Sequence, residues 1–547
     1  MALSDRFINV IRDENGQAVK LDFCYKDDFN FAFDVVDELG RTQPDKLAML
    51  WVSIDNETRH FTFKDIMEQS AKAANYFKSI GIKKGDKVML TLKRHYQFWY
   101  AVVALHKIGA IVVPATYLLT EKDFVYRLNA ANIKAIVATA IGEVGDEIEK
   151  ASEKVEVKPI LITANGKRDG WLNFDEGIED CCPFFEKPTG EEAIFASDTM
   201  IMYFTSGTTG YPKIVVHSYS YPLGHFATAK LWQQVNTDGM HFTISDTGWA
   251  KSVWGKLYGQ WLCEAAILTY DFEKFVADDI LKKFAEYKIT TFCAPPTMYR
   301  FFIKEDLTKY DLSSLERCVI AGEALNPEVY AQFLSATGLK LYEGFGQTEM
   351  TITLANFGDM EPKPGSMGKP IPQYDVDLLT LDGKIAKLGE IGEIVMRTDI
   401  KSPGMFEGYY DNEEGTKSVW YDNIYHTGDL AWQDEDGYYW YVGRTDDVIK
   451  SSGYRIGPFE VESVIMELPY VLECAVVGVP DDTRGQVVKA IIVPTVGTVS
   501  TEELKKDVQK YVKEHTAPYK YPRIVEFVES LPKTISGKIR RVELRDK

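Results

Sequence analysis

The chain has 547 residues, 45% hydrophobic and 26% charged, with Lys+Arg 62 against Asp+Glu 81 for a net charge of −19. That length predicts more than one domain and room for a large core. So acidic a surface repels phosphate backbones and argues against nucleic acid as a partner. Seven cysteines (24, 181, 182, 263, 293, 318, 474) are scattered without metal-ligand spacing and read as reduced thiols of a cytoplasmic protein. The opening "MALSDRFINVIRDENG" carries acids and no long apolar core, so it reads as neither signal nor transit peptide. The most apolar stretch, "YAVVALHKIGAIVVPA", is broken by His106, Lys107 and Gly109, and no membrane span is expected.

In chain order, "FKDIMEQSAKAANYFKSIG" spaces Ile66, Ala73, Tyr76, Phe77 and Ile80 as a helix face, with Gly81 as its stop. "KVMLTL" (87–92) predicts a buried strand. "QFWYAVVALHKIG" predicts a helix ending at Gly109, and "AIVVPA" a second strand. Strand, helix and strand in this rhythm imply a parallel sheet with crossover helices. The rhythm returns at "LKKFAEYKITTFCAPP" and "LSSLERCVIAGEAL". Near residue 444 the character changes to the polar, Gly-rich "GRTDDVIKSSGYRIGP". Beyond it "VLECAVVGVP", "VKAIIVPT" and "RIVEFVESLP" predict strands. "STEELKKDVQKYVKEH" predicts a helix with Ser500 as N-cap and Glu503 completing a capping box. The expected division is 1–445 and 446–547. The second part is neutral, so the first carries the acidity, yet the last fifteen residues are basic. A solvated terminus explains such a tail, and so does a tail that meets an anion.

One loop is rich in oxygen-binding groups: "YFTSGTTGYPK" (203–213). Gly207 and Gly210 permit close backbone approach to an anion. Thr205, Ser206, Thr208 and Thr209 add hydroxyls, and Lys213 adds a point charge. The preceding "MIMYF" reads as a strand, so the loop lies at a strand end, where α/β sheets bind ligands. The Walker pattern G-x-x-x-x-G-K-[ST] is not met, because the glycines are too close and Pro212 precedes Lys213. Composition alone leaves a phosphate cradle and a polar surface loop both open.

The segment Thr205–Lys213 resembles the signature loop of the adenylate-forming superfamily, which holds acyl-CoA synthetases, peptide-synthetase adenylation domains and luciferases. Further segments match in order across most of the chain, and "SSGYRIGPFEVE" with "PYKYPR" is most similar to the medium-chain acyl-CoA synthetases. The resemblance implies an α/β N-terminal domain (1–445) with parallel and mixed sheets, and a small mobile α+β C-terminal domain (446–547). It implies ATP, CoA and Mg²⁺ as cofactors. Gly322, Glu323 and Ala324 in "AGEAL" would line the adenine. Glu343, Gly344, Phe345, Gly346, Gln347 and Thr348 in "YEGFGQTEM" would border adenine and phosphates, and Glu349 would hold the metal, a hard cation suited to carboxylate oxygen. Asp429 in "YHTGDL" would accept from the ribose hydroxyls, and Arg444 would lie near ribose or phosphate. Lys538 in "PKTISGKIRR" would be the catalytic lysine, which accounts for the basic tail.

The implied reaction has two halves. A carboxylate attacks the α-phosphate of ATP, with Lys213 and Mg²⁺ serving the outer phosphates and Lys538 the forming bond. A thiol then attacks the acyl-adenylate and AMP leaves. The small domain would rotate about Asp446 between the two, bringing Ser452, Gly453, Tyr454, Arg455, Arg484 and Lys520 to CoA. Relatives specific for acetate carry Trp where Gly346 stands, so Gly346 is expected to open space for an acid larger than acetate. Trp232, Trp249, Trp254 and Cys293 are expected to line the acyl pocket, and Lys251 to cap it, favouring short-to-medium or branched acids. An aryl-acid ligase, a carrier-loading adenylating enzyme and a non-catalytic nucleotide-binding scaffold are the alternatives. Association of identical chains is left open.

Overall fold

The computed structural model describes residues 2–205, 211–452, 454–534 and 538–545. The expected sites Ser206, Gly207, Thr208, Thr209, Gly210 and Gly453 lie outside the described residues.

The predicted strand–helix–strand rhythm builds the first sheet. Lys87–Thr91 pairs in parallel with Ile111–Pro114, and the helix Gln97–Ile108 crosses between them. That helix is buried along its whole length, so its polar residues need partners, and Gln97 donates to Asp175 at 2.8 Å. The Lys107 ammonium pairs with Asp37 at 2.8 Å. The His106 Nε2 is 2.8 Å from the Tyr258 hydroxyl, and burial holds this imidazole neutral, with a pKa of about 3. Gly109, at φ 77, ends the helix in a left-handed turn that favours glycine. The helix Phe63–Ser79 starts at a reciprocal cap: the Asp65 N–H donates to the Thr62 hydroxyl at 3.1 Å, and the Thr62 N–H to the Asp65 carboxylate at 2.8 Å. Thr199–Phe204 joins the sheet in parallel with Ile111–Pro114, and Ile214–Ser218 folds back against it antiparallel. The loop between those two strands is the oxygen-rich one.

The second sheet has a parallel run of six strands: Leu47–Ser53, Ala266–Asp271, Met240–Thr243, Thr291–Ala294, Arg317–Ile320 and Leu341–Gly346. It then turns antiparallel through Ile352–Ala355 and Ser366–Pro370. Segments 321–325 and 342–350 therefore lie together at the carboxyl ends of adjacent parallel strands, the region where such sheets bind ligands. The strands Ile424–Gln433 and Tyr439–Arg444 extend this sheet and place Asp429 opposite Arg444.

From residue 449 a separate five-stranded sheet forms, with Val471–Asp481 and Gly485–Pro494 antiparallel and Ile524–Phe527 parallel to the latter. The helix Glu502–His515 has Thr501 as its N-cap, not Ser500. Thr501 is extended and its hydroxyl accepts from the Leu504 N–H at 3.2 Å, so Leu504 takes the third position and Glu503 misses the capping box by one residue. The helix Pro458–Ile465 faces the larger part, where Phe459 meets Tyr441 edge-on at 5.9 Å. In the tail Lys533 bridges to Ile539, and Leu544 is buried in the cluster that also holds Val477 and Val493.

Candidate active site

A cleft of about 1110 Å³ opens where the carboxyl ends of the second sheet meet the tail. Its walls carry Thr205, Lys213, Gly322, Glu323, Ala324, residues 343–349, Asp429, Arg444, Asp446 and Lys538. Side chains expected from six separate motifs are thus brought together, and Lys538 faces the same space as Lys213.

At the loop, the described ends are tied: the Thr205 N–H donates to the Lys213 carbonyl at 2.9 Å. The Lys213 ammonium lies 4.5 Å above the Tyr409 ring, and the Tyr409 hydroxyl donates to Glu349 Oε1 at 2.9 Å. One tyrosine therefore orients both the cation and the carboxylate. The strand Gly408–Tyr409 delivers it by pairing with Ile214–Ser218. Sequence reading missed Tyr409, although "EGYY" lies in a stretch of turns where a paired aromatic is a usable signal. His217 was also missed. Its Nε2 lies 2.7 Å from the Thr348 carbonyl and, neutral through burial with a pKa of about 3, donates to it. Its ring stacks on Tyr221 at 3.8 Å.

Asp429 is buried, which raises its carboxyl pKa; Arg444, Gln347 and Tyr441 oppose that rise. Gln347 Nε2 donates to Oδ2 at 2.5 Å and the Tyr441 hydroxyl to Oδ1 at 3.1 Å. Each oxygen keeps a lone pair for a further donor. The Arg444 guanidinium stands 3.6 Å from Asp429 and 3.6 Å from Asp446. It also approaches Gly428, where a Cβ would meet it at 2.9 Å and φ is 71, so only glycine fits.

Glu343 is 3% exposed, and burial pushes its carboxyl up to about 8. Oε1 accepts from the Leu325 N–H at 3.2 Å, while Oε2 has no partner among the described residues. Gly344 is needed for packing: a Cβ there would strike Ile352 at 2.5 Å and the Trp232 indole at 2.8 Å. Glu323 accepts from the Thr297 hydroxyl at 3.1 Å.

The expected acyl residues lie behind this cleft, and they correct one expectation. Gly346 does not leave open space. A Cβ there would meet the Thr351 carbonyl at 2.5 Å and the Trp254 indole at 2.6 Å, so Trp254 already fills the place. Trp254 is held from behind, its indole N–H donating to the Tyr221 hydroxyl at 3.3 Å. Trp232 is buried in the main core, with its N–H on the Tyr342 carbonyl at 3.1 Å. Trp249 starts the helix Ala250–Lys256. The Lys251 ammonium donates to the Ala321 carbonyl at 2.6 Å. Burial lowers its pKa, while the Cys293 thiol and Glu323 oppose this and Lys538 adds to it; its Nζ lies 3.8 Å from where a Cβ on the cleft residue Gly322 would stand.

The expected CoA residues that are described lie elsewhere, Tyr454 and Arg455 on the strand Tyr454–Ile456 and Lys520 in the short helix Pro518–Lys520, and among the described residues none of the set lines the cleft. Tyr454 is exposed and stacks on Tyr519 at 4.0 Å, a partner the sequence reading missed. Arg455 is exposed. Ser452 adopts φ 51 and donates its N–H to the Arg484 carbonyl at 3.0 Å, while Arg484 lies 3.7 Å from Asp481. Lys520 pairs with Glu460 at 2.5 Å.

A strand-end cleft that gathers cations from two sheets and from the tail suits an anionic ligand such as a nucleotide. The comparisons narrow this. The profile of the family described as "AMP-binding enzyme" matches residues 36–410, and that of its C-terminal domain matches 460–538. The chain belongs to this family. It is 40% identical to acyl-coenzyme A synthetase ACSM3, mitochondrial, of Rattus norvegicus, over 97% of this chain and 93% of that one. It is 42% identical to ACSM4, mitochondrial, of the same species, over 95% and 90%. Among solved structures it superposes on the anthranilate CoA ligase AuaEII in complex with anthranoyl-AMP, with a TM-score of 0.86 and 29% identity, covering 95% of this chain and 98% of that one. A benzoate CoA ligase from Burkholderia xenovorans LB400 gives 0.82 and 26%, covering 94% and 100%.

Proposed function

We propose that the cleft runs both half-reactions of an AMP-forming carboxylate–CoA ligase. The chain is an acid–CoA ligase that uses ATP and a carboxylic acid as small-molecule substrates. The observation that carries the site assignment is the convergence of Lys213, Glu349, Asp429 and Lys538, from four distant stretches, on one cleft.

In the first half, a carboxylate oxygen attacks the α-phosphorus, the α–β anhydride bond breaks, and pyrophosphate leaves. Two anions must meet, so positioning and charge neutralisation dominate. Lys213, held over Tyr409, serves the leaving pyrophosphate together with Thr205 and the segment 206–210. Lys538 serves the oxygens where charge builds. Asp429 takes the ribose hydroxyls, and the 322–324 and 343–348 segments take the base. Glu349, with one oxygen fixed by Tyr409, fits a cation shared with phosphates, since Mg²⁺ binds through one or two carboxylates plus substrate oxygens. When bound it neutralises phosphate charge.

In the second half, the thiol sulfur attacks the acyl carbon, its proton passes to solvent, and AMP leaves. Because Lys538 occupies the cleft while the Tyr454, Arg455, Arg484 and Lys520 face lies outside it, the reading requires the part after Asp446 to rotate as a hinged domain. The Tyr454–Tyr519 pair would then meet a base, and the cations its phosphates.

The acid is read as short-to-medium or branched, because Trp254 packs against Gly346 and Lys251 stands beside it, which sets an upper limit on the chain; the likeness to the acyl-coenzyme A synthetases supports an acid larger than acetate. A long straight chain would have to displace an indole hydrogen-bonded to Tyr221. No helix among the described residues is long and apolar enough to cross a membrane; the reduced thiols support a cytoplasmic place, though the relatives' names say mitochondrial. The test is acid-dependent exchange of pyrophosphate into ATP, followed by AMP release on adding CoA. Exchange that CoA does not carry forward would favour carrier loading, and no exchange with any acid would leave a scaffold.

A further inference from the structure

Asn326 stands at the exit of the 321–325 segment and does two separate things. Its side-chain oxygen accepts from the Glu328 N–H at 2.7 Å and so caps the helix Pro327–Thr337. Its side-chain Nδ2 reaches the other way and donates to the Ser463 carbonyl at 3.2 Å. Ser463 belongs to the helix Pro458–Ile465, beyond the Asp446 hinge. The amide therefore spans the cleft from the nucleotide segment to the part that carries Lys538.

The contact continues into the tail. Glu462, next to Ser463, receives the Arg541 guanidinium side-on, Nε donating to Oε1 at 3.3 Å and Nη2 to Oε2 at 2.8 Å. A bidentate pair of this kind fixes direction as well as distance. The same carboxylate is also tied to the sheet, since its Oε1 accepts from the Val476 N–H at 2.8 Å. Arg541 lies three residues after Lys538, whose backbone carbonyl accepts from the Thr534 N–H at 2.8 Å. A rigid path thus runs from Asn326 through the helix Pro458–Ile465 to the backbone of Lys538. On the large side, Leu325, adjacent to Asn326, donates to Glu343 in the base-binding segment.

We propose that Asn326 is a positioning residue that selects the orientation for the first half-reaction, by tying the nucleotide segment to the helix that aims Lys538. The contact exists only while Lys538 faces the cleft, and it is broken when the small part turns to deliver the thiol. This rests on the two-orientation reading above.

Asn326→Ser separates the two duties. Serine caps a helix as well as asparagine does, is neutral, and is too short to reach Ser463. Full-length wild type and variant are compared in two assays: acid-dependent pyrophosphate exchange, and thioester formation from supplied acyl-adenylate plus CoA. A neutral hydrogen bond is worth about threefold to tenfold in a rate or equilibrium. The expected result is a loss of that size in exchange, with thioester formation unchanged or faster and the melting temperature unchanged. Asn326→Asp, which also caps and cannot donate, is expected to repeat the pattern. Equal loss in both half-reactions, or no loss in either, overturns the proposal while leaving the ligase reading intact. Absence of exchange in the wild type would instead overturn the ligase reading, and this proposal with it.

Discussion

Two binding faces of this chain are built in opposite ways. In the cleft, polar groups are held before any ligand arrives: the Asp429 carboxylate by Gln347 and Tyr441, the Glu349 carboxylate by Tyr409, and the Thr348 backbone carbonyl by His217. On the five-stranded sheet, Tyr454 and Arg455 are exposed, and Lys520 is occupied by Glu460. Pre-set polar groups stabilise developing charge without reorganising, which suits the step in which two anions meet. An exposed, ion-paired face suits a ligand that arrives after a rotation and must exchange partners. On the proposed reading, the difference separates where the chemistry is prepared from where the second substrate docks.

The strongest way to break this comparison is Lys538→Ala. The lysine serves only the first step in this reading, so pyrophosphate exchange should fall by about 10²–10³-fold, the scale of losing one preorganised charge-stabilising group. Thioester formation from supplied acyl-adenylate should change by less than about threefold, within the range of a weak contact. If Lys213→Ala lost exchange while Lys538→Ala kept it, the division of labour would be wrong.

Trp254→Ala tests the back wall of the cleft. Removing a buried indole costs about 3–5 kcal/mol of stability, so the variant should melt earlier. It should also accept straight-chain acids several carbons longer, read as a shifted optimum in kcat/KM across a chain-length series. An unchanged optimum would mean that the acyl chain does not run toward Gly346. Lys251→Ala separates wall from rim, because it should shift the profile with little loss of stability.

How far these parts could be read in advance follows from where their determinants lie along the chain. The loop 203–213, "YEGFGQTEM" and the tail lysine are contiguous motifs, so they are legible residue by residue. The parallel strands were legible too, because their apolar runs and the glycine stop at Gly109 are local. Tyr409, Tyr441 and His217 were not, since each reaches the site only through strand pairing with distant residues. Gly346 shows the limit most clearly. The missing side chain is visible in sequence, but the indole that fills its place comes from a different helix, and only packing reveals it.

The pH dependence of stability sharpens the same contrast from the buried side. Glu343 has a folded-state pKa of about 8, above its ordinary value, because burial disfavours its charge. The neutral form therefore contributes stability that is fully present below the unfolded pKa. It is lost progressively as pH rises through the folded value. Glu343→Gln keeps the shape and cannot ionise. Wild type should lose stability relative to this variant between about pH 5 and pH 9, by on the order of a few kcal/mol at the upper end, read as a falling melting temperature. Parallel melting curves across that range would show that Glu343 finds a partner or solvent when ionised.

The smallest effect is expected on the docking face. Tyr519 contributes one ring of the exposed stack with Tyr454 at 4.0 Å, and an aromatic pair is worth about 0.5–1.5 kcal/mol beyond area burial. Tyr519→Ala should therefore raise the KM for CoA by about twofold to tenfold. It should leave the KM for ATP and the rate of pyrophosphate exchange where they were, because the pair does not line the cleft. The exposed position makes a folding defect a poor explanation for such a selective change. A rise in both KM values would mean that the two faces are not separate, and that the ring pair acts on the cleft through the helix Pro458–Ile465, which carries the Lys520 partner Glu460.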